Sequence, residues 1–395
     1  MSYAYRSQVL DRLGVRSWIN ARNWATAIGG NWLDDRVLAA MHEVAKTFVD
    51  MGELFQKADR RIAQLCQVDD AHVTAGCGSA IEYAAAACMA EDDYRKWMQL
   101  PHTDGMRNEV VLHRGHYIGY SPQWTASGGR LIEYGQAGVL KFAEPELENA
   151  LSEKTCCISY TVSYNTVPRG SLPLQEIVRV ARKHDIPVVV DAASDLPPVA
   201  NLHKHTDLGA DAVCFSGGKA IRGPNNTGLL LGKGKGANIV RRVREHTFPH
   251  YGWGRGHKVT KEQIAALVVA LEIFVEEGDA LFAKQMAMVE FFVRELSGLP
   301  HLEVNVIPND ATLHEHPMVP HVPRVRLRWD GATAGLTAAG LDEAMAREDP
   351  PVFLRNTHYF DYYTNKEWRL IDPFFLREDE AQIVVDKLKR AFAKI

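Results

Sequence analysis

The sequence contains no long hydrophobic run, and we expect no apolar leader. The window closest to a membrane span, Tyr83–Ala90, is eight residues long and ends at an acidic pair. Because a helix needs about 20 mostly apolar residues to cross a bilayer, we expect no transmembrane segment. Arg6, Asp11 and Arg12 interrupt the N-terminus, which therefore lacks the apolar stretch of a secretory signal, and we expect a cytoplasmic protein.

The sequence also has little net charge and few cysteines. Its 45 Lys and Arg residues oppose 49 Asp and Glu residues, and the formal charge of −4 argues against a general nucleic-acid or anionic-membrane binder. The six cysteines form no CxxC pair and no dense framework, which is typical of reduced thiols in a cytosolic protein. We interpret the pairs His203/His205 and His314/His316 as loop histidines, because no cluster completes a metal site around them. No metal ion is expected.

What the sequence does contain is the composition and pattern of a globular α/β protein. Its 395 residues are 46% hydrophobic and 24% charged, which is enough chain for two domains. Short apolar or β-branched runs alternate with helical stretches, and this alternation predicts a large, mostly parallel seven-stranded sheet with helices on both faces. The seven runs are residues 72–76, 109–113, 130–135, 156–161, 187–192, 211–217 and 228–232.

The rest of the chain predicts a smaller α+β domain. Helical periodicity extends over residues 261–296, strand-like segments follow at 302–306 and 325–329, and a final helix is expected at 378–392. We therefore expect three parts along the chain: an N-terminal segment that packs on the small domain (1–45), a large domain (46–260) and a small C-terminal domain (261–395).

One lysine in a glycine-rich turn is poorly explained by packing. Lys219 stands three residues beyond Ser216, directly after an apolar strand, in the stretch FSGGKAIRGPNNTG at 215–228. An amine held at a strand end, partly removed from water and among small neighbours, suits covalent chemistry with a carbonyl compound. A solvated loop lysine is the alternative for this residue taken alone.

An aspartate and a second glycine turn precede this lysine. Asp191 follows three valines, so a parallel strand would bring it to the sheet edge where ligands bind, although it could instead cap a helix. The segment TAGCGSA at 74–80 leaves a strand and enters an alanine-rich helix, as a phosphate-binding turn does. Each element is weakly specific by itself, and the combination in this order is much more specific.

Together, the Gly-Cys-Gly-Ser turn, the strand-end aspartate and the Ser-x-x-Lys resemble the fold-type I family of pyridoxal-phosphate enzymes, which share the aspartate aminotransferase-like fold. Within that superfamily the chain is most similar to the selenocysteine synthase-like branch. This branch contains seryl-tRNA selenium transferase and the D-glucosaminate-6-phosphate ammonia-lyases. The supporting segments are LGVRSWIN at 13–20, FVDMGEL at 48–54, VVLHRGH at 110–116, FSGGKAIRGPNNTG at 215–228 and GRGHKVTKEQI at 254–264.

The resemblance implies pyridoxal 5'-phosphate as cofactor and a role for each matching residue. Lys219 would form the Schiff base and shuttle protons, and Asp191 would pair with the pyridine nitrogen. His116 would stack on the ring, and Ser194 and Asn165 are candidates to contact its phenolic oxygen, unless both only satisfy local backbone. The residues implied to surround the phosphate are Cys77, Gly78, Ser79 and Ser216.

Arginines for a substrate carboxylate are less well determined. Arg255, Arg326 and Arg355 lie in the second half of the chain, where this superfamily often places such a residue, and Arg355 is slightly favoured. Arg22 and Asn23 offer a second possible substrate contact from the N-terminal segment. Each of these residues, taken alone, is also explained as an ordinary surface residue.

The resemblance to the ammonia lyases favours an α,β-elimination that converts a hydroxy amino acid or amino-sugar acid into a 2-oxo acid and ammonia. Lys219 would remove the α-proton, and His116 or His113 would assist the leaving hydroxyl group. An aminotransferase or racemase that uses the same cofactor is the alternative, and a non-catalytic protein that has kept the fold is a third possibility.

Selenium transfer on seryl-tRNA is not expected. The likeness to that family begins within the first 20 residues, which leaves no room for its tRNA-gripping domain, and Gly217-Gly218 stands where that family usually has Gly-Asp. We expect a small-molecule substrate, no nucleic-acid or membrane partner, and a homodimer or higher homo-oligomer that shares its active site.

Overall fold

The computed structural model describes residues 7–135, 144–163, 171–307, 323–356 and 367–393. These residues form two compact units. The larger unit takes in the described residues between 32 and 278, and the smaller unit those before and after this range. Residues 32–45 and 261–278 thus group with the larger unit, and the expected domain boundaries stay a prediction.

A seven-stranded sheet lies at the centre of the larger unit, which confirms the predicted fold class. The strands are β2 (Asp70–Thr74), β3 (Glu109–His113), β4 (Arg130–Tyr134), β5 (Thr155–Thr161), β6 (Val188–Asp191), β7 (Ala212–Ser216) and β8 (Gly228–Gly232). Their order across the sheet is β2-β8-β7-β6-β5-β3-β4. Strands β3 to β7 run parallel, and β8 is antiparallel to both of its neighbours.

The sequence makes these strands central because their side chains are apolar on both faces. All residues of β6 and β8 are buried, as is expected of strands covered by helices on both sides. Parallel strands deliver their carboxyl ends to one edge of the sheet. At that edge the register places Asp191 between Thr161 of β5 and Cys214 of β7.

Within the described residues, eight α-helices lie wholly in the larger unit. They are α2 (Asp35–Ala45), α3 (Met51–Cys66), α4 (Cys77–Ala90), α5 (Tyr94–Gln99), α6 (Glu144–Ala150), α7 (Leu174–Lys183), α8 (Asn201–Asp207) and α9 (Gly236–His246). Helix α4 is almost entirely buried, because small alanine side chains let it pack closely against β7, β8 and α9. Its first turn is therefore held in a fixed position beside the sheet.

The smaller unit is built on an antiparallel three-stranded sheet. Its strands β9 (Leu302–Ile307), β10 (Arg324–Trp329) and β12 (Glu367–Ile371) take the order β12-β10-β9. A separate parallel pair joins β1 (Ile19–Ala21) to β11 (Val352–Leu354), so the N-terminal segment is part of this unit. Its helices include α1 (Gln8–Arg12), α11 (Gly331–Ala334), α12 (Ala338–Arg347) and α13 (Glu378–Phe392).

The two long helices have the predicted bounds. Helix α10 spans Lys261–Leu296 and contributes residues to both units, and α13 closes the described chain. Among the helices of the described ranges, none has the length and apolar content that crossing a membrane requires.

A buried carboxylate connects three elements of the larger unit. Asp59 of α3 accepts hydrogen bonds from His72 Nδ1 of β2 (2.8 Å), from the Val73 backbone N–H (3.2 Å) and from Arg244 Nε of α9 (2.9 Å). The side chains of Asp59 and His72 are 2% and 1% exposed. Three donors thus compensate the loss of water around this charge.

We expect Asp59→Ala to lower the free energy of unfolding by about 3 kcal/mol, because it leaves buried donors without their acceptor. The matched control is Arg61→Ala on the same helix, whose ion pair with Glu272 is about half exposed and is expected to contribute less than about 1 kcal/mol. Urea denaturation of both variants measures the difference. Equal losses would contradict the role given to Asp59.

Candidate active site

Asp191 lies at the carboxyl end of β6 with its side chain fully buried. Its Oδ1 accepts hydrogen bonds from the Ala193 backbone N–H (3.1 Å) and from the Cys77 thiol (Sγ–Oδ1 3.8 Å). Burial raises the pKa of the Asp191 carboxyl, whereas these two donors and the nearby positive charge of Lys219 lower it. The described residues donate to Oδ1 only, so Oδ2 is left for a further donor.

Lys219 lies in the hairpin that joins β7 to β8. The hairpin is closed by backbone hydrogen bonds from Gly217 N to Thr227 O and from Gly223 N to Gly217 O, both 2.8 Å. A Cβ on Gly218 would stand 2.5 Å from the Asn225 Cα, so this turn packs more closely than any larger residue allows. The glycines around Lys219 therefore let its backbone pack closely, and its side chain is half-buried.

The segment that precedes α4 forms a donor-rich helix start. Gly76 has φ +90° and supplies no side-chain cap. The first three helical N–H groups, those of Cys77, Gly78 and Ser79, find no acceptor among the described residues. The Ser79 hydroxyl donates to Ala75 O (3.0 Å), so its backbone N–H is its remaining donor. Free N–H groups at the positive end of a helix dipole suit an anion.

The helix start and the lysine hairpin are close neighbours. A Cβ on Gly228, the first residue of β8, would lie 2.6 Å from Cys77 N. Ser216, the last residue of β7, pairs with Gly228 in the sheet. The structure thus brings together the predicted residues of three separate segments, namely Cys77, Gly78, Ser79, Asp191, Ser216 and Lys219.

His116 lies in a short 3₁₀ helix directly after β3 and is buried. Its Nδ1 accepts a hydrogen bond from Thr161 N (3.3 Å), which assigns the proton to Nε2, and Nε2 has no partner among the described residues. Its ring packs edge-to-face on Tyr160 (4.7 Å between centroids) and on His113 (5.4 Å). Burial lowers the pKa of His116 to about 3 and that of His113 to about 4.

Two other predicted cofactor residues have different outcomes. Ser194 is buried in the turn that follows β6, three residues beyond Asp191. Asn165 lies outside the described residues, as do His314 and His316.

The interpretation of His203 and His205 as loop residues is wrong. Both lie in α8, where His203 pairs with Asp207 one turn on (2.6 Å) and His205 Nε2 pairs with the buried Asp195 (2.5 Å). A pair of histidines two residues apart does not reveal in sequence that one pairs within its helix and the other with a residue ten positions earlier. Within the described ranges, no group of His, Cys, Asp and Glu side chains could hold a metal ion.

In the smaller unit, two predicted substrate residues surround an aspartate that the sequence did not single out. Asp372 is fully buried, and its Oδ2 accepts hydrogen bonds from Asn23 Nδ2 (2.6 Å) and Arg324 Nε (2.7 Å). Arg355 NH1 lies 3.7 Å from the same oxygen. Asn23 Oδ1 also accepts from Trp24 N, so both ends of this amide are engaged within the unit.

The other three candidate arginines are half-buried. Arg22 is half-buried after β1, and Arg326 is half-buried on β10. Arg255, in the larger unit, lies over the rings of Phe248 (5.1 Å) and Tyr251 (5.8 Å). Its Nε and NH1 are shielded from solvent without a hydrogen-bond partner in the part of the chain that the structure describes.

Glu82, which lies one turn beyond Gly78 in α4, is a further titratable residue that the sequence pattern does not single out. Burial raises the pKa of its carboxyl to about 7, and its Oε2 lies 3.9 Å from His257 Nε2. The available signal was a single charged residue within the alanine-rich stretch SAIEYAAAACMA. For Asp372 no such signal exists, because its partners are distant in sequence.

These residues fit pyridoxal phosphate. The donor-rich start of α4 suits a phosphate, and the Lys219 amine suits an aldehyde. The free oxygen of the buried Asp191 suits a protonated ring nitrogen. The phosphate, the aldehyde and the ring nitrogen of the cofactor therefore each have a complementary group in the larger unit.

Comparison with known proteins agrees with this chemistry. Residues 129–244 match the family profile described as aminotransferase class-V. A 5'-C-glycyluridine monooxygenase-decarboxylase from Streptomyces sp is 31% identical, over 96% of this chain and 90% of the relative. A D-glucosaminate-6-phosphate ammonia lyase from Salmonella typhimurium is 26% identical over 96% of this chain and 97% of its own.

A solved structure of a D-glucosaminate-6-phosphate ammonia-lyase superposes with a TM-score of 0.81 at 25% identity, covering 98% of this chain and 99% of the other. The expected cofactor family and fold are thereby confirmed. The chain belongs to the fold-type I pyridoxal-phosphate enzymes, in the branch that contains these two relatives and the seryl-tRNA selenium transferases.

Proposed function

We propose that the protein is a lyase that releases ammonia and a 2-oxo acid from a hydroxy amino acid or an amino-sugar acid. The observation that carries this proposal is the full-length similarity to D-glucosaminate-6-phosphate ammonia lyase in sequence and fold. When bound, pyridoxal phosphate supplies an electron sink for the bonds at the substrate's α-carbon. The protein's residues then decide which of those bonds breaks.

Lys219 is proposed as the base at the α-carbon. Its side chain is half-buried and electrostatically coupled to Asp191, in a hairpin whose backbone is closely packed. A rigid backbone limits the positions that Nζ can take, which favours a defined proton transfer.

The ends of the cofactor would be held by different segments. We assign the phosphate to the backbone N–H groups of Cys77, Gly78 and Ser79 with the Ser216 side chain, and the ring nitrogen to Asp191. Ser194 and Asn165 stay candidates for the phenolic oxygen. These assignments are supported by burial, free donors and proximity.

The two histidines are better suited to binding than to donating an extra proton. Because burial lowers the pKa of His116 and His113 to about 3 and about 4, both rings are neutral near pH 7. We propose that His116 stacks on the cofactor ring. Lys219, after it has accepted the α-proton, is then the charged acid that can protonate a leaving hydroxyl group.

For the substrate carboxylate, Arg255 and Arg355 are proposed. Arg255 has buried donors without an acceptor among the described residues, which favours an anion beside it. Arg355 lies beside Asp372, a buried carboxylate that also holds Asn23 and would fix the direction of the guanidinium group. Arg22 and Arg326 are half-buried, as Arg255 is, and both stay candidates for the same role.

We further propose a cytoplasmic homodimer or higher homo-oligomer. All six cysteines are free and buried, as is expected of thiols in a reducing compartment. Large apolar side chains such as Phe48 and Tyr251 are exposed on the single chain, at 103% and 86%, and a second copy would cover such residues. The modest negative charge and the small-molecule chemistry of the relatives favour no nucleic-acid partner.

A second candidate is oxygen-dependent decarboxylation of an amino acid. It is favoured by the 31% identity to the Streptomyces sp monooxygenase-decarboxylase, which exceeds that to the ammonia lyase. The two reactions differ in their demand for oxygen and in their products, so one assay can separate them.

The proposed elimination is tested by incubating the holoenzyme with D- and L-serine, D-glucosaminate and its 6-phosphate, with and without oxygen. We expect ammonia and a 2-oxo acid in equal amounts, without oxygen uptake and without an added oxo-acid acceptor. Lys219→Ala should keep its circular-dichroism spectrum and lose at least about 100-fold in rate. Oxygen uptake with release of carbon dioxide would contradict the elimination and favour the oxygen-dependent decarboxylation.

A pH dependence of stability follows from the neutral histidines. Their pKa is lowered on folding from about 6.5, so the folded state disfavours the charged rings. Above pH 6.5 these groups do not reduce the free energy of unfolding. As the pH falls from 6.5 towards 4 and 3, the unfolded state binds protons that the folded state does not, and the free energy of unfolding decreases. For His116 we expect a loss of about 1.5 kcal/mol between pH 6.5 and 5.

Thermal unfolding of the cofactor-free protein over pH 8 to 5 measures this loss. His116→Gln should have a shallower dependence on pH than the wild type, whereas the exposed control His102→Gln should keep the wild-type slope. Parallel curves for all three proteins would show that His116 is not held neutral.

A further inference from the structure

One carboxylate oxygen of Asp191 is fully engaged by the protein. Ala193 N and Cys77 Sγ both donate to Oδ1. Ala193 lies two residues after Asp191 in the sequence, and Cys77 lies 114 residues before it. No donor among the described residues reaches Oδ2. The carboxylate is thus fixed through one oxygen and available through the other.

Two thiols lie beside this carboxylate, and they are not equivalent. Cys77 and Cys214 are both fully buried and both feel the negative charge of Asp191. Only Cys77 is within hydrogen-bonding distance of an Asp191 oxygen, whereas Cys214 is the neighbouring residue of β7 in the sheet. Burial, and then the charge of Asp191, raises the pKa of the Cys77 thiol well above its usual value, so Sγ keeps the proton that it donates.

Cys77 is also the first residue of α4. Its backbone N–H is one of the three free donors at the helix start, and its side chain points to the carboxylate at the end of β6. A single residue therefore connects the part of the site suited to a phosphate with the part suited to a ring nitrogen. Because α4 is almost wholly buried, this connection cannot move independently of the core.

We propose that Cys77 is a positioning residue for the cofactor: its thiol, by donating to Asp191 Oδ1, turns Oδ2 towards the pyridine nitrogen. This inference rests on the proposed role of Asp191 and adds to it a thiol that acts through that carboxylate. The thiol restricts the rotation of the carboxylate, and an oriented carboxylate holds the ring nitrogen more tightly than one that must first reorient.

The test compares two ligands that differ only at the ring nitrogen. Pyridoxal phosphate and its 1-deaza analogue, in which a C–H replaces that nitrogen, are titrated into cofactor-free full-length protein and followed by fluorescence. The variants are Cys77→Ala, Cys77→Ser and, as a matched control, Cys214→Ala. Since Cys77 would act only through Asp191, its loss should affect only the ligand that Asp191 can hold through nitrogen.

We expect Cys77→Ala to weaken the binding of pyridoxal phosphate about 3- to 10-fold, which is the range expected for the loss of one hydrogen bond. The 1-deaza analogue should bind this variant as it binds the wild type. Cys77→Ser, which keeps a donor, should restore most of the affinity for pyridoxal phosphate. Cys214→Ala should leave the ratio of the two affinities at its wild-type value.

Three results would overturn this role. The first is an equal loss of affinity for both ligands in Cys77→Ala, and the second is no loss of affinity for either ligand. The third is the same change in the ratio of the two affinities in Cys214→Ala. If the wild-type protein binds pyridoxal phosphate but the variants give one of these results, only the role of Cys77 is refuted. A wild-type protein that does not bind pyridoxal phosphate at all removes the proposed function as well.

Discussion

The proposed active site depends on the buried carboxylate of Asp191, which lies near the half-buried amine of Lys219. Asp191 is fully buried at the end of β6, and burial alone raises the pKa of its carboxyl. The positive charge of Lys219 and two hydrogen bonds to Oδ1 oppose this effect. A buried carboxylate is stable only when neighbouring groups compensate for its loss of water, and the surrounding structure provides such groups. The parallel sheet sets the position of Asp191, the packed glycine hairpin sets that of Lys219, and α4 supplies both the Cys77 thiol and free N–H groups.

Much of the larger unit could be predicted because its strands are continuous apolar runs. Val188–Val190 and Leu229–Leu231 fit central strands, and a strand end followed by an aspartate or a glycine turn favours a site there. The predicted sheet, the long helix α10 and the last helix α13 appear accordingly. In the smaller unit, β11 and β12 were missed, since Val352–Leu354 is too short and the sequence EWRLI at 367–371 mixes charges with apolar residues.

The contacts that fix the site could not be predicted, because they join residues that are distant in sequence. Cys77 and Asp191 are 114 residues apart, and Asn23 and Asp372 are 349 residues apart. The environment of a titratable group also escapes a sequence pattern. His116 was a reasonable candidate acid from its place after a strand, but the burial that lowers its pKa to about 3 follows from packing against Tyr160 and His113. The choice between elimination and decarboxylation is equally hidden, since relatives named for each are similar along nearly the whole chain.

The proposed function requires Lys219 and Asp191 to hold pyridoxal phosphate together. The most direct measurement is the near-ultraviolet and visible absorption spectrum of the purified wild-type protein before and after borohydride, with the reduced adduct located by peptide mass spectrometry. We predict a visible absorption band that borohydride abolishes and a pyridoxyl group attached to Lys219. The absence of such a band after addition of pyridoxal phosphate, or an adduct on another lysine, would show that Lys219 does not hold the cofactor.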